Sequence, residues 1–550
     1  MESENYKAII LGLDGATFDL LLPRIQQGQM PNLAGLLERG AWGTLHSTLP
    51  PFSAQAWVSL ATGQNQARHG VVDFWEPSPD HVHRRFVSSR HIQSETLWQM
   101  ASRHGRRVGV VNVPLTYPPQ AVNGYLVSGF LTPQDKTDFT YPPELKREIE
   151  ALVPDYRPDP FDPLGATRQQ ILEIERWMHR HEQVARHLMD HHPVDLFFNV
   201  VQALDHLQHL FWQVASQNER GPDAPLIDRC FQFIDQMIGH RWQRLDGRTV
   251  LFLVSDHGFG PVRKRFQVNR WLWERGFLAL GERHGDRGRP MGGGWGLTPQ
   301  RARALIRCLD FLGVRRRIGR MARVTLGRRL DQALTPPIDW SRTQAVSGSP
   351  AVEGIYLNLK GREPQGIVEP GAPYEAVRER LMAELRDLRD PETGEPVVQA
   401  VYRREEVYRG PFLDLLPDVV LDVGDHPYLV SDALTAPQVL EPLSRDDLQG
   451  RHRSAGIFVA VGPHIRATQP VEGIRIVDVT PTVLYALDLP IPEDMDGRPL
   501  LEIFCQEYRA THPVRYGRAE RPDQEAVAPG ESPDEAADME RRLRGLGYIS

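Results

Sequence analysis

The run Thr249-Val250-Leu251-Phe252-Leu253-Val254-Ser255-Asp256-His257-Gly258 joins a short, almost wholly apolar stretch to a carboxylate, an imidazole and a glycine. A continuous apolar run of this length predicts a strand buried on both faces, as in parallel sheets covered by helices. Asp256 and His257 then leave a rigid strand end and enter a tight glycine turn. Two metal-type donors are thereby held in fixed positions, and in open α/β sheets ligands sit beyond the carboxyl ends of the strands.

Similar runs recur at 7–13, 108–113, 196–201, 418–421 and 457–461, with helical patterns between them. They predict an α/β fold, a central and mostly parallel sheet with helices on both faces. Asp14 follows the first run directly, and Asp205 lies a few residues beyond the third. Asp205 and His209 are four residues apart, so on a helix they share a side and can close on one ion with oxygen and nitrogen donors. His206 points about 100° away and reads as structural. His452, in a loop before the last run, acquires meaning only with the others. Taken singly, a strand-end aspartate caps helices, and Asp-x-x-x-His pairs on helix surfaces.

Pro50-Pro51-Phe52-Ser53-Ala54-Gln55-Ala56-Trp57 predicts a helix carrying Ser53 in its first turn. A helix N-terminus offers free N–H groups and positive dipole to an incoming phosphoryl group. A hydroxyl placed there is a weak nucleophile until a metal ion lowers its pKa. The ordinary alternative is an N-cap serine that serves the helix alone.

The chain has 550 residues, 41% of them hydrophobic and 25% charged, which suffices for a large globular core. A net charge of -7 gives no global field favouring nucleic acid. Only five of its 64 basic residues are lysine; arginine suits anionic substrates, and genome composition accounts for the bias equally well. Cys230, Cys308 and Cys505 are too few and too scattered for a disulfide framework or a thiolate zinc site. The N-terminus lacks signal-peptide character, and no segment supplies the roughly 20 apolar residues of a membrane span, so a soluble cytoplasmic protein is expected.

The rhythm breaks across 281–345, where Gly292-Gly293-Gly294 leads into an arginine-rich amphipathic pattern. A mainly helical cap insertion is expected there, either solvated or acting as a lid against an anionic substrate or a membrane surface. Residues 506–550 read as a polar tail. Within them Ser532-Pro533-Asp534-Glu535 predicts a short terminal helix with Met539, Leu543 and Leu546 as its apolar stripe, docked on the body or on a second copy in a homo-oligomer.

In this order, the segments resemble the alkaline phosphatase superfamily, specifically its type I phosphodiesterase and nucleotide pyrophosphatase branch. The resemblance spans roughly 7–504 and includes Thr62-Gly63, His69-Gly70-Val71, Asp478-Val479-Thr480-Pro481-Thr482 and Asp496-Gly497-Arg498-Pro499-Leu500. It implies an alkaline phosphatase-like sandwich formed by 1–280 and 346–505. It further implies two divalent ions, zinc or alternatively manganese: one held by Asp205, His209 and His452, the other by Asp14, Asp256 and His257 and faced by Ser53. The implied activity is cleavage of phosphodiester or pyrophosphate bonds in a small molecule through a phosphoserine intermediate. A phosphomonoesterase, a phosphotransferase or mutase, and a non-catalytic protein that kept the metals are the alternatives.

Two departures from the family pattern bear on substrate. Ser53 stands where many nucleotide pyrophosphatases have threonine, and no asparagine occurs near Asp73-Phe74, where that branch binds phosphate. Asp73, Phe74 and Asn112 are the substrate-binding candidates, with Arg90 and His91 as further polar groups. Ser53-Ala54-Gln55-Ala56-Trp57 lacks the proline and arginine of a sulfatase motif, which excludes that activity.

Overall fold

The computed structural model describes residues 6–76, 86–133, 138–159, 166–216, 221–281, 337–434, 436–443, 448–467, 470–520 and 539–543. Seven strands come first: β1 (Lys7–Leu13), β2 (Ala41–His46), β3 (Val108–Val113), β4 (Gly124–Ser128), β5 (Thr140–Tyr141), β6 (Leu196–Val201) and β7 (Thr249–Val254). The chain leaves the sheet as β8 (Gly258–Pro261) and then forms β9 (Lys264–Gln267), β10 (Ala345–Val346), β11 (Gly354–Leu357), β12 (Ala400–Arg403), β13 (Val419–Asp422), β14 (Tyr428–Ser431) and β15 (Leu440–Pro442). It returns as β16 (Gly450–Arg453) and rejoins the sheet through β17 (Ala455–Val461) and β18 (Ile474–Arg475).

The central sheet has the order β18-β2-β17-β7-β1-β6-β3-β4-β5. It is parallel except where β17 runs against β2 and β7, and β5 against β4. Alternating side chains of the inner strands feed two separate cores. Ile9, Leu11, Phe197, Leu251 and Leu253 enter one. Ala8, Ile10, Phe198, Val250 and Phe252 enter the other. Helices Arg168–His191, Ala203–Ala215 and Ala224–Trp242 supply the first face, and Ser53–Thr62, Leu97–Arg103 and Val479–Ala486 cover the second. Each fully buried large apolar side chain contributes about 1.5–3 kcal/mol, so burial on both faces explains why these strands read as uninterrupted apolar runs.

Between β8 and β16 the chain builds a module of its own. Its strands form a four-stranded sheet, β10-β11-β13-β12, and a three-stranded one, β14-β9-β15. Helices Val268–Glu274 and Ala372–Arg386 pack with these strands around a third core that includes Phe266, Trp271, Leu381, Val419 and Val430. This corrects the expectation for 418–421: the strand is Val419–Asp422, and it belongs to this antiparallel sheet rather than to the central one. The break expected at 281–345 therefore lies inside a longer excursion, and the helical character expected for 282–336 lies outside the described residues.

The polar tail also differs from expectation at its start. Helix Gln506–Thr511 packs on the core through buried Tyr508, and Tyr516–Gly517 pairs with Ile491–Pro492. Residues 539–543 are helical, and Met539 and Leu543 are buried in the first core, as the apolar stripe predicts; Leu546 lies outside the described residues.

Candidate active site

Three adjacent strands, β7, β1 and β6, end side by side, and just past their ends stand Asp256, Asp14 and Asp205 in the same spatial order. Gly15, at φ 69°, makes the turn after Asp14 and donates its backbone N–H to Asp256 Oδ1 at 3.2 Å. The left-handed conformation is open to glycine without penalty. Asp205 and His209 lie on the helix Ala203–Ala215, and His209 Nε2 is 3.4 Å from Asp205 Oδ1. His452 comes from β16, which pairs with β8, so it lies beside the strand that follows His257. The rings of His257 and His452 stack with centroids 3.8 Å apart.

The histidine tautomers follow from their outer partners. His209 Nδ1 faces Gly450 O at 3.2 Å, His257 Nδ1 faces Gly258 O at 3.0 Å, and His452 Nδ1 faces Pro51 O at 3.0 Å. A carbonyl accepts only, so each Nδ1 carries a proton and donates it, and each ring turns its Nε2 inward. His452 Nε2 lies 2.9 Å from His209 Nε2 and 3.1 Å from Asp205 Oδ1. His257 Nε2 lies 3.3 Å from Asp256 Oδ2 and 3.5 Å from Asp14 Oδ1. Nitrogen and carboxylate donors drawn this close are held together by a shared proton or by a cation among them. The donor set is all nitrogen and oxygen, and Asp256 Oδ2 is buried with no hydrogen bond. Both features fit divalent metal ions of the zinc or manganese type.

The groups Asp14–Asp256–His257 and Asp205–His257–His452 each converge within 4.8 Å of one another, so His257 stands between two donor clusters. Burial pushes Asp256 up to about 8, and burial together with the charges of Asp256 and Asp205 raises Asp14 well above the usual carboxylate range. Burial acts on Asp205 in the same direction, but His209 and His452 outweigh it and hold that carboxyl well below its ordinary value. Burial lowers His257, and burial with the neighbouring His257 lowers His452.

Ser53 is the first residue of helix Ser53–Thr62, and Phe52, not Ser53, is its N-cap. The Ser53 hydroxyl lies 3.1 Å from His257 Nε2 and 3.5 Å from Asp14 Oδ1. One turn on, Trp57 donates its indole N–H to Asp14 Oδ2 at 2.9 Å, a contact not anticipated from sequence although the i, i+4 spacing from Ser53 offered the signal. Gln55 donates to Ala351 O of the inserted module at 3.0 Å, which brings that module against the helix bearing the hydroxyl.

His206 is turned away, stacked on Trp177 with centroids 5.1 Å apart, and burial pushes it down to about 3. Of the substrate candidates, Phe74 is a core residue set edge-on to Phe130, and Asp73 Oδ1 accepts the Phe74 backbone N–H at 2.6 Å. Asn112, at φ 58°, accepts from Tyr156 OH at 3.0 Å and donates to Pro158 O at 3.4 Å. His91 faces Glu76 at 2.8 Å. These bonds tie Asn112 and His91 to neighbours outside the two donor clusters.

The sequence pattern of the family described as type I phosphodiesterase / nucleotide pyrophosphatase matches residues 8–454, which include Ser53 and every donor named above. The chain belongs to this family. It is a phosphodiesterase/pyrophosphatase-type phosphohydrolase of the alkaline phosphatase superfamily. Its fold is similar to that of the phosphonoacetate hydrolase of Sinorhizobium meliloti 1021 bound to phosphonoacetate, at 16% identity and a TM-score of 0.51 over 88% of this chain and 95% of that one. The murine ectonucleotide pyrophosphatase/phosphodiesterase 5 in complex with AMP matches at 14% identity and a TM-score of 0.47, covering 91% of this chain and all of that one. Among curated proteins, none matches the chain at the level of sequence. No helix among the described residues is long and apolar enough to cross a membrane.

Proposed function

We propose that the chain is a two-metal phosphodiesterase in which Ser53 forms a covalent phosphoserine. The observation that carries this reading is a buried serine hydroxyl at a helix N-terminus, 3.1 Å from His257 and facing two clusters of inward-turned nitrogen and carboxylate donors. Asp14, Asp256 and His257 would hold one ion, and Asp205, His209 and His452 the other. When bound, such ions lower the pKa of a coordinated hydroxyl or water and offset charge on the reacting oxygens. The remaining steps belong to the chain itself. The positive end of the helix dipole at Ser53 orients the phosphate oxygens. Ser53 Oγ loses its proton and forms a bond to phosphorus as the bond to the leaving oxygen breaks, and the departing alkoxide takes up a proton and leaves as an alcohol. Water later cleaves the seryl ester to return the Ser53 hydroxyl and release the phosphomonoester.

Charge favours a diester. Three carboxylates against two divalent ions leave one positive charge, which a monoanionic diester neutralises and a dianionic monoester exceeds. Zinc is favoured over manganese because three imidazoles take part. The test is turnover of parallel aryl phosphodiester and monoester substrates by protein reconstituted separately with each metal. The expected result is a higher kcat/KM for the diester, with Ser53→Ala keeping its metal and losing turnover, and Asp256→Ala losing both. Turnover indifferent to both substitutions would reject the reading.

A further inference from the structure

Strands β8 and β16 form the stem through which the inserted module leaves the catalytic body and returns to it. In this ribbon His452 sits opposite Phe259, and Arg451 and Arg453 sit opposite Gly260 and Gly258. Successive side chains of a strand point to opposite faces, so when His452 turns to the catalytic clusters its two neighbours turn away together. Both arginines then meet one loop of the module, the turn between β13 and β14. Arg451 Nη1 donates to Gly424 O and to His426 O, each at 2.8 Å, and Arg453 Nη2 donates to Asp425 O at 2.9 Å. Three consecutive carbonyl oxygens are thus taken by two guanidinium groups that flank one catalytic histidine. Arg451 is 3% exposed and lies 3.9 Å from Glu353, itself 3% exposed, which adds a second anchor from the module. The turn is built to present these oxygens. Gly424 has φ 56°, its N–H donates to Asp422 Oδ1 at 2.8 Å, and a Cβ there would fall 1.7 Å from Gln399 Oε1.

We propose that Arg451 and Arg453 are positioning residues that set the register of His452 by clamping the 424–426 turn, making the inserted module a supporting part of the metal site. A strand only four residues long, Gly450–Arg453, has little rigidity of its own. Its pairing with β8 fixes distance along the ribbon, while its tilt over the site is fixed by the clamp on the far face. Arginine suits this task because its Nη1 alone donates to both carbonyls from a buried position while the rigid guanidinium plane keeps Nη2 on the side of Glu353, and lysine offers a single point charge on a flexible stem.

The inference rests on the reading that His452 helps to hold a metal ion, so metal binding and turnover are measured separately. Wild type, Arg451→Lys, Arg451→Met and Arg453→Met are compared for zinc stoichiometry and for affinity by chelator competition, with kcat and KM for an aryl phosphodiester measured in parallel. Circular dichroism verifies the fold. The expectation is one zinc retained at wild-type affinity and the other weakened about 10- to 100-fold in both methionine variants, the usual cost of losing support behind a metal ligand. Arg451→Lys should recover part of that loss, and kcat should fall more than KM rises. Arg453, on the outer part of the clamp at 16% exposure, keeps the test decisive if Arg451→Met does not fold. Two zinc ions held at wild-type affinity in folded Arg453→Met and Arg451→Lys would overturn the clamp. A wild-type protein that binds no zinc or manganese would instead overturn the metal reading itself.

Discussion

Substituting Trp57 by phenylalanine removes one hydrogen bond behind the proposed catalytic centre. The indole N–H is 2.9 Å from Asp14 Oδ2, with Trp57 and Asp14 each 1% exposed. The ring also packs on β1, where a Cβ at Gly12 would fall 2.5 Å from it. Phenylalanine cannot donate and also withdraws the indole Cη2 and Cζ3 that lie over Gly12, so circular dichroism and urea unfolding accompany the assay to separate lost packing from the lost hydrogen bond. A hydrogen bond to a charged group contributes about 1.5–3 kcal/mol, and a buried acceptor left without its donor bears the larger cost. Since about 1.4 kcal/mol is tenfold in an equilibrium constant, the ion beside Asp14 should bind about 10- to 100-fold more weakly. Asp14 would also gain rotational freedom, so turnover at saturating metal should fall as well. The assay is chelator competition for zinc together with diester turnover, each in Trp57→Phe and in Ser53→Ala. Ser53→Ala should lose turnover with metal retained, while Trp57→Phe should lose both together. Unchanged zinc affinity in a folded Trp57→Phe protein would refute the idea that the indole orients Asp14.

Three further outcomes are expected. Burial holds both His69 and His181 down to about 3, so they stay neutral in the folded chain at pH values where the unfolded chain, titrating near 6.5, protonates them. Unfolding then takes up protons, and stability is lost as pH falls from about 6.5 towards 3, by about 1.4 kcal/mol per pH unit for each histidine; urea midpoints across this range check the slope, and His69→Gln should reduce it. Gly424→Ala forces a Cβ into a left-handed turn beside Gln399, which should cost about 1–2 kcal/mol in urea unfolding. Leu543→Ala, at a fully buried position of the first core, should cost about 2–5 kcal/mol by the same measurement, whereas an undocked terminal helix would make it silent.

Much of this architecture was legible because buried parallel strands leave a plain mark. Residues 249–254 and 7–13 are apolar on both faces, and the carboxylates that follow them reach the site because strand ends are fixed in space. Asp205 and His209 were legible through helical spacing alone. Residues 418–421 carry the same apolar mark yet belong to another sheet, since local periodicity records burial and not the identity of the neighbouring strand. The clamp by Arg451 and Arg453 left no mark, because its acceptors are backbone carbonyls of residues 424–426, and any residue type presents a carbonyl. Trp57 falls between these cases: its helix face was readable, while its partner is set by how that helix lies across β1.

The bond from His452 to the Pro51 carbonyl spans 401 residues of chain, and that from His452 to Asp205 spans 247. Closing loops of this length is slow and earns nothing until the contacts form. The proposed catalytic centre is therefore expected to complete late in folding. During synthesis, the helix bearing Ser53 and the first aspartate emerge hundreds of residues before the histidine that completes their surroundings. On the proposed reading, a nascent or truncated chain carries the serine without hydrolytic power, and activity arises only in a molecule whose distant segments have met.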